Sequence, residues 1–277
     1  MCFLKRKIIF SICLVLAISL AFGCIAMATS SPSDEKDALQ RDTTQRSRVF
    51  NSPIHTDDAY TAPINPSDTP EEWAKLKSGL ERMEATQIPA EILEKMSTAG
   101  LVNTFLNCHF FYGHIFSSTT LQDGFDATVE VYNGLQELLR REDSGTAILN
   151  LYKAIDLETL YLHDESPFLR LQSIEVLCSQ SDILGTLTPE QGKEVIHECI
   201  TKIMAIMNDK DFSETFAIGS TLLLAARCLN RFDATFADLV ASSPTLQEYV
   251  RAGTLRSSDV SDATLESIYN YIIENYY

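Results

Sequence analysis

Residues 214–230, ETFAIGSTLLLAARCLN, form the most apolar stretch of the chain after its N-terminal leader. Within that stretch, residues 222–226 (LLLAA) leave almost no polar face, so a helix formed there must be enclosed by other helices. The stretch therefore predicts a core helix around which a helical domain is packed.

The segments on either side repeat large apolar residues at three- and four-residue spacing, the period of an amphipathic helix. Residues 69–72 (TPEE) and 188–191 (TPEQ) are capping boxes with proline at the first helical position. The first box predicts the start of a helix that ends near Thr86, and the second predicts a long helix to about Met207. Strand-like alternation is not sustained anywhere, so an all-α domain of about ten helices is expected over residues 68–277.

An internal similarity bears on how these helices are arranged. Residues 173–178 (SIEVLC) and 220–228 (STLLLAARC) are alike in character at an offset of 47 residues. Helical repeats of the HEAT and armadillo types recur every 40–47 residues. The sequence therefore predicts an irregular stack of helices, either an α-solenoid of HEAT or armadillo type or a globular helical bundle.

The N-terminus has the pattern of an export signal. Three basic residues at 5–7 precede a mainly apolar segment of sixteen residues at 8–23, which is shorter than the roughly 20 residues of a membrane-spanning helix. Residues 26–28 (AMA) predict a signal peptide over 1–28 with cleavage before Thr29. Residues 20–24 (LAFGC) instead resemble a bacterial lipobox, which places a lipid on Cys24, and an uncleaved signal anchor is a third alternative.

The sequence thus predicts an exported protein that is extracellular or on the cell surface, anchored to a membrane if Cys24 is lipidated. Residues 29–67 are rich in Ser, Thr, Asp and Pro and poor in large apolar side chains. Because such a segment buries too little surface to offset the entropy of ordering, it is expected to be a disordered linker or stalk.

The formal net charge is −16, from 22 basic and 38 acidic residues. A surface that acidic repels phosphate backbones and anionic lipid headgroups. The expected partner is an unknown protein or peptide and not nucleic acid. Membrane contact is expected only through the leader or a lipidated Cys24.

The four cysteines of the body lie inside apolar helical runs, where a free thiol behaves as a small apolar group. Buried thiols are therefore favoured, and two disulfides are the alternative in an oxidising compartment. These cysteines are Cys108, Cys178, Cys199 and Cys228.

No motif in the sequence predicts a catalytic, cofactor-binding or metal-binding residue. His109 and His114 point about 140° apart on one helix, a poor arrangement for a shared metal ion. His197 begins a zinc-protease-like pattern, but Thr201 stands where the second histidine is needed. Residues 208–213 are rich in side-chain oxygen but lack the glycine of a calcium loop and indicate a turn between helices.

Two other clusters are candidate surfaces. Three carboxylates share one helical face and are interpreted as a solvated face, with acid–base chemistry as the alternative; they are Asp123, Asp126 and Glu130. Four C-terminal tyrosines predict an interaction surface, because tyrosine is favoured at interfaces; they are Tyr269, Tyr271, Tyr276 and Tyr277. The alternative for the tyrosines is a last helix packed through Ile268 and Ile272 that leaves them exposed at a frayed end.

Residues 69–73 (TPEEW), 96–98 (MST) with 100–102 (GLV), and 219–221 (GST) together resemble an uncharacterised family of exported helical proteins from Gram-positive, clostridia-like bacteria. The resemblance covers residues from Thr69 to the C-terminus. It implies export and an all-helical domain and supplies no catalytic residue, because no activity is assigned to that family.

The leading functional hypothesis is a non-enzymatic protein- or peptide-binding or scaffold module displayed on a flexible stalk. The alternative is an enzyme that acts on envelope or extracellular polymers with two carboxylates facing each other across a cleft. A carrier with a large apolar cavity is a third hypothesis.

Overall fold

A computed structural model of the chain describes residues 58–164, 166–253 and 262–277. Helices account for 76% of these residues, and no strand occurs among them. The predicted all-α class and irregular helical stack are confirmed. The described ranges contain 17 helices and not about ten, because short helices fill the connections between the longer ones.

Three short helices precede four larger helical units. The short helices are α1 (Pro70–Trp73), α2 (Gly79–Ala85) and α3 (Ala90–Leu93). Unit 1, residues 98–140, contains α4 (Thr98–Asn107), α5 (His109–Phe116), α6 (Leu121–Val131) and α7 (Asn133–Arg140). Unit 2, residues 144–185, contains α8 (Ser144–Ala154), α9 (Leu157–His163), α10 (Pro167–Cys178) and α11 (Ser181–Gly185). Unit 3, residues 189–232, contains α12 (Pro189–Asn208), α13 (Lys210–Thr215) and α14 (Gly219–Phe232). Unit 4, residues 234–276, contains α15 (Ala234–Ser242), α16 (Pro244–Ala252) and α17 (Asp262–Tyr276).

The core is built around α14. Residues 222–226 are completely buried, as the apolar run predicts. Helices α10, α11, α12, α15, α16 and α17 all pack against α14. The helix begins at Gly219 and not at residue 214, because α13 ends at Thr215 and the buried link 216–218 turns the chain before α14 starts.

The four units repeat with a nearly constant length. Their first helices begin at Thr98, Ser144, Pro189 and Ala234, so successive starts lie 46, 45 and 45 residues apart. Hydrogen bonds between units follow the same offset: Thr98 to Asp143 and Thr146 to Gln191 each join residues 45 apart. Helices α4, α8 and α12 consequently pack side by side, with α8 in the middle.

The stack is nevertheless closed on itself and not an open array. Helix α16 of unit 4 packs against α6 of unit 1 as well as against α14. Gly253 ends α16 in a left-handed conformation (φ 64°), and a Cβ built there would lie 3.3 Å from Leu121 Cβ and 2.8 Å from a Leu223 methyl. The turn therefore requires glycine both for its backbone geometry and for this close approach.

The two predicted capping boxes behave differently. Thr188 accepts a hydrogen bond from the Gln191 backbone, and the Gln191 side chain accepts one from the Thr188 N–H, which confirms the second box. The first box is wrong, because the Thr69 hydroxyl is hydrogen-bonded to the Asn65 backbone and does not cap α1. A reciprocal box forms later, between Ser78 and Glu81, and splits the expected helix into α1 and α2.

Residues 58–67 lie within the described fold, although the sequence analysis assigned them to the linker. The Asp58 carboxylate accepts a hydrogen bond from the Ser97 N–H (2.5 Å), and the Tyr60 N–H donates to the Thr104 hydroxyl (2.8 Å). Asp58 and Tyr60 are therefore bonded to the helical domain, ten and eight residues before the predicted boundary at residue 68. The leader over 1–28, Cys24 and linker residues 29–57 lie outside the described residues.

Candidate functional site

An open groove lies between units 2 and 3. It has a volume of about 650 Å³ and is formed by the α8–α9 connection on one side and by α12 and α13 on the other. Helices α9 and α13 meet along it. Its lining combines apolar side chains with charged ones, so the groove is neither an enclosed apolar cavity nor a purely polar cleft.

The apolar part of the groove is centred on three side chains. Tyr161 and Phe212 meet edge to face, with ring centroids 5.9 Å apart. Leu162, next to Tyr161 on α9, keeps 59% of its surface exposed. A helix of seven residues with two adjacent large apolar residues facing solvent offers a contact surface that the core of the domain does not use.

Seven charged residues line the groove: the bases Lys153 and Lys202 and the acids Asp156, Glu158, Glu198, Asp209 and Asp211. Two of the acids are helix caps. Asp156 accepts hydrogen bonds from the Thr159 hydroxyl and N–H, which lower the pKa of its carboxyl group, and Asp209 accepts one from the Phe212 N–H. The chain thus uses these two charges to begin α9 and α13, at the helix ends where the dipole favours an anion.

Lys202 connects the groove to the interior. Its ammonium group lies 3.3 Å from Glu198 and 4.2 Å from the centre of the Tyr152 ring, and only 3% of the residue is exposed. The Tyr152 hydroxyl points inward and donates a hydrogen bond of 3.0 Å to Glu175. A row of three side chains therefore runs from the groove to a buried carboxyl group.

Glu175 is completely buried in the middle of α10. Its two carboxyl oxygens accept hydrogen bonds from Tyr152, from Ser220 (2.5 Å) and from Thr221 (2.7 Å). Burial raises the pKa of Glu175 from 4.5 to about 7, while the three hydroxyl groups and Lys202 act in the opposite direction. The hydrogen bonds of Glu175 join units 2 and 3. Because neither Glu175 nor Tyr152 is exposed, a molecule in the groove does not contact either side chain.

The four C-terminal tyrosines differ in exposure and do not share one exposed surface. Tyr269 is 4% exposed and belongs to the core, beside the buried Ile268 and Ile272. The hydroxyl groups of Tyr271 and Tyr276 both donate to Asp233, at 2.9 and 2.7 Å, and so fasten α17 to the cap of α15. Tyr277 alone among the four is mainly exposed, at 77%. The periodicity of α17 placed Tyr269 on the same inward face as Ile272.

The described carboxylates and histidines among the other candidate residues are exposed or hydrogen-bonded within the fold. Asp123, Asp126 and Glu130 lie exposed on α6. His114 is hydrogen-bonded to Thr128 (3.0 Å), and His197 is exposed. Residues 208–213 contain the last residue of α12, the cap Asp209 and the first four residues of α13, so the connection between the two helices is a single residue. The side chains of His109 and His163 are outside the description. Among the described residues, His, Cys, Asp and Glu form no group of three or more that could hold a metal ion.

The preference for thiols over disulfides is confirmed for the four body cysteines. All four are free, and Cys178, Cys199 and Cys228 are buried. Burial raises the pKa of the half-buried Cys108 to about 11 and that of the other three further. These thiols are therefore poor nucleophiles.

Sequence reasoning missed both the groove and Glu175. A signal for Glu175 was present, since it is the single charged residue in the apolar segment 173–178 (SIEVLC). A lone carboxyl group in such a run indicates a buried polar network, because a charge is tolerated there only when hydrogen-bonded. The groove had no comparable signal, because it depends on how α9 and α13 meet.

No protein family, curated protein or solved structure matches this chain. Across the described ranges, every helix falls short of the length or the apolar character needed to cross a membrane.

Proposed function

We propose that this protein is an exported or surface-tethered helical module that binds a protein or peptide partner in the groove between units 2 and 3. The observation that carries the proposal is the exposed apolar pair Tyr161 and Leu162 in a groove whose lining also contains seven charged residues. Apolar side chains at the centre with polar groups around them are the usual anatomy of a protein-binding surface.

The size of the groove agrees with this assignment. A volume of about 650 Å³ accommodates a few side chains of a bound segment, and its openness to solvent allows the backbone of that segment to continue past both ends. The network beneath, from Lys202 through Tyr152 to Glu175, holds the floor in place. A rigid floor favours binding, since less conformational freedom is lost when the partner arrives.

Binding is better supported than the alternative of carboxylate catalysis. A general acid needs a raised pKa, yet the hydrogen bonds that Asp156 accepts from Thr159 lower the pKa of its carboxyl group. The raised carboxyl group, Glu175, is enclosed by protein. An envelope-acting enzyme would need an exposed carboxyl group of that kind facing a second one.

Export and tethering are supported by the basic and apolar leader and by the resemblance to exported helical proteins. The N-terminal sequence of the protein recovered from the producing cells tests this part. A mature chain that begins at Cys24 with a lipid indicates tethering, and one that begins at Thr29 indicates free secretion. An intact Met1 on protein that remains in the cytoplasm would refute export.

Peptide binding is tested by selecting a random-peptide display library on the full chain and on two variants. Leu162→Asp places a charge in the apolar part of the groove and is expected to abolish recovery of the selected peptides. Leu80→Asp is the matched control, because Leu80 is 62% exposed on α2 and does not line the groove. Recovery of no peptide that depends on Leu162 would overturn the proposal.

A further inference from the structure

Two basic and five acidic residues line the groove, and only some of these charges form ion pairs within the protein. Its two lysines are both satisfied within the protein: Lys153 lies 2.6 Å from Glu194, and Lys202 lies 3.3 Å from Glu198. Neither positive charge is therefore left to attract a partner. The other four groove carboxylates, at Asp156, Glu158, Asp209 and Asp211, form no salt bridge in the described ranges, although the charge of Lys202 contributes to the lowered pKa of Asp156.

These four carboxylates are exposed, and they divide into two pairs by structural role. Asp156 and Asp209 begin α9 and α13, so their positions are explained by capping. Glu158 and Asp211 follow two residues after each cap, and within the described part of the chain their side chains make no hydrogen bond or ion pair. A matched acidic residue therefore lies in the first turn of each of the two helices that carry Tyr161, Leu162 and Phe212.

We infer that the groove recognises a cationic segment of a partner protein, in which lysine or arginine side chains flank at least one large apolar side chain. The inference rests on the proposed peptide-binding function and adds the chemistry of the ligand. The apolar side chain contacts Leu162, Tyr161 and Phe212. The flanking cations face the unpaired carboxylates, which steer the encounter and disfavour neutral or acidic segments.

Charge complementarity also decides against other occupants. Nucleic acid and anionic lipid carry the same sign as the four carboxylates and are repelled. A second copy of the chain is disfavoured for the same reason, because each copy carries a net charge of −16. A cationic segment removes the repulsion among the groove carboxylates when it binds, which the other occupants do not.

The test uses peptides from the display selection whose recovery depends on Leu162. Their affinity for the full chain is measured by fluorescence anisotropy at low and at about 0.5 M salt, where exposed charges are strongly screened. The measurement is repeated with the double variant Glu158→Gln and Asp211→Asn. The matched control is Asp123→Asn with Glu130→Gln, which removes two exposed charges of α6 outside the groove.

The expected result is that these peptides are enriched in lysine and arginine and bind more weakly at high salt. The groove double variant is expected to weaken binding by about fivefold, and the control double variant by less than about twofold. Selected peptides that require Leu162 but are neutral or acidic, or that bind equally to wild type and the groove double variant, would overturn the cationic ligand while leaving peptide binding intact. Absence of any Leu162-dependent peptide would overturn both proposals.

Discussion

The junction between units 1 and 2 and the junction between units 2 and 3 each contain a buried cation, but the two cations are bonded differently. Between units 1 and 2, Arg170 of α10 reaches the end of α4, where it donates to the Leu106 carbonyl and to Asn107 (3.0 Å), and it also pairs with Asp164 (3.2 Å). The side chains of Arg170 and Asp164 are almost completely buried. We call this the closed junction, because Arg170 bonds groups of both units across it.

Between units 2 and 3, the buried cation is Lys202, which pairs with Glu198 of its own helix and lies over the Tyr152 ring. A guanidinium group has five donors in a planar fork and can bond several groups across a junction at once, whereas an ammonium group is a compact point charge. Lys202 therefore links units 2 and 3 beneath the groove through Glu198 and Tyr152. It forms no salt bridge with α9 or α13 in the described ranges, and the groove lies between those two helices.

Helix α10 adds a second contrast, because it contributes one buried charge to each junction. Arg170 is neutralised by a carboxylate, whereas Glu175 is surrounded by three hydroxyl groups and forms no salt bridge among the described residues. A buried ion pair is costly to break by removal of one partner. A buried carboxyl group held by neutral donors instead makes the stability depend on its protonation.

The largest expected effect is at the closed junction. Arg170→Ala leaves the Asp164 carboxylate buried without its cation and is expected to lower the free energy of unfolding by about 3–5 kcal/mol. Urea denaturation followed by circular dichroism measures the change. Arg140→Ala is the control, because Arg140 pairs with Glu137 at the surface and should shift the midpoint little. Equal effects of the two variants would show that the Arg170 pair does not hold the junction.

Glu175→Gln tests the pH dependence. The pKa of Glu175 is about 7 in the folded protein and near 4.5 when unfolded, so its stabilising contribution is complete below pH 4.5 and is lost as pH rises to about 7. The loss amounts to about 3 kcal/mol. The free energy of unfolding of Glu175→Gln relative to wild type should therefore rise by that amount from about pH 4 to pH 8.

Urea midpoints of wild type and Glu175→Gln across this pH range provide the measurement. Other carboxyl groups titrate equally in both proteins, so the difference between them isolates Glu175. A difference that stays constant with pH contradicts the assignment. The matched control, Glu130→Gln, removes an exposed carboxyl group and should give no such slope.

Tyr152→Phe separates the two roles of this tyrosine. The ring that faces Lys202 is kept, but the hydrogen bond to Glu175 is lost, which is expected to cost about 1–2 kcal/mol of stability. Thermal or urea unfolding measures it. The Tyr152 hydroxyl also lowers the pKa of Glu175, so its removal should raise that pKa further. The stability difference between variant and wild type should therefore grow as pH rises through 7. A pH-independent difference would exclude this role of the hydroxyl group.

The smallest expected effect is at the open junction. Leu162→Asp should change the free energy of unfolding by no more than about 0.5 kcal/mol, because most of the Leu162 side chain is in water. The same unfolding experiment, with Leu80→Asp as a second exposed position, checks this value. A loss of several kcal/mol would mean that Leu162 stabilises the folded protein, and this result would contradict its role in a binding site.

Much of the architecture was predictable because helix formation is local. The Thr188 cap of α12 was predicted from four residues, and the long helix that follows it ends at Asn208, one residue beyond the predicted end at Met207. Breaks at Cys108 and Tyr132 were harder to place. Each residue adopts a non-helical backbone between two apolar helices, with no proline to mark the position.

The sequence by itself determined the helical class, the burial of residues 222–226 and the acidic character of the chain, and it favoured thiols over disulfides without deciding between them. Each of these follows from composition or from a period of three to four residues. Only the tertiary structure decided that Glu175 is surrounded by hydroxyl groups from α8 and α14, and that a groove stays open between α9 and α13. The reason is that each depends on residues of different helices, 23 to 46 positions apart in the Glu175 network, and the spacing within one helix does not specify its neighbour across the stack.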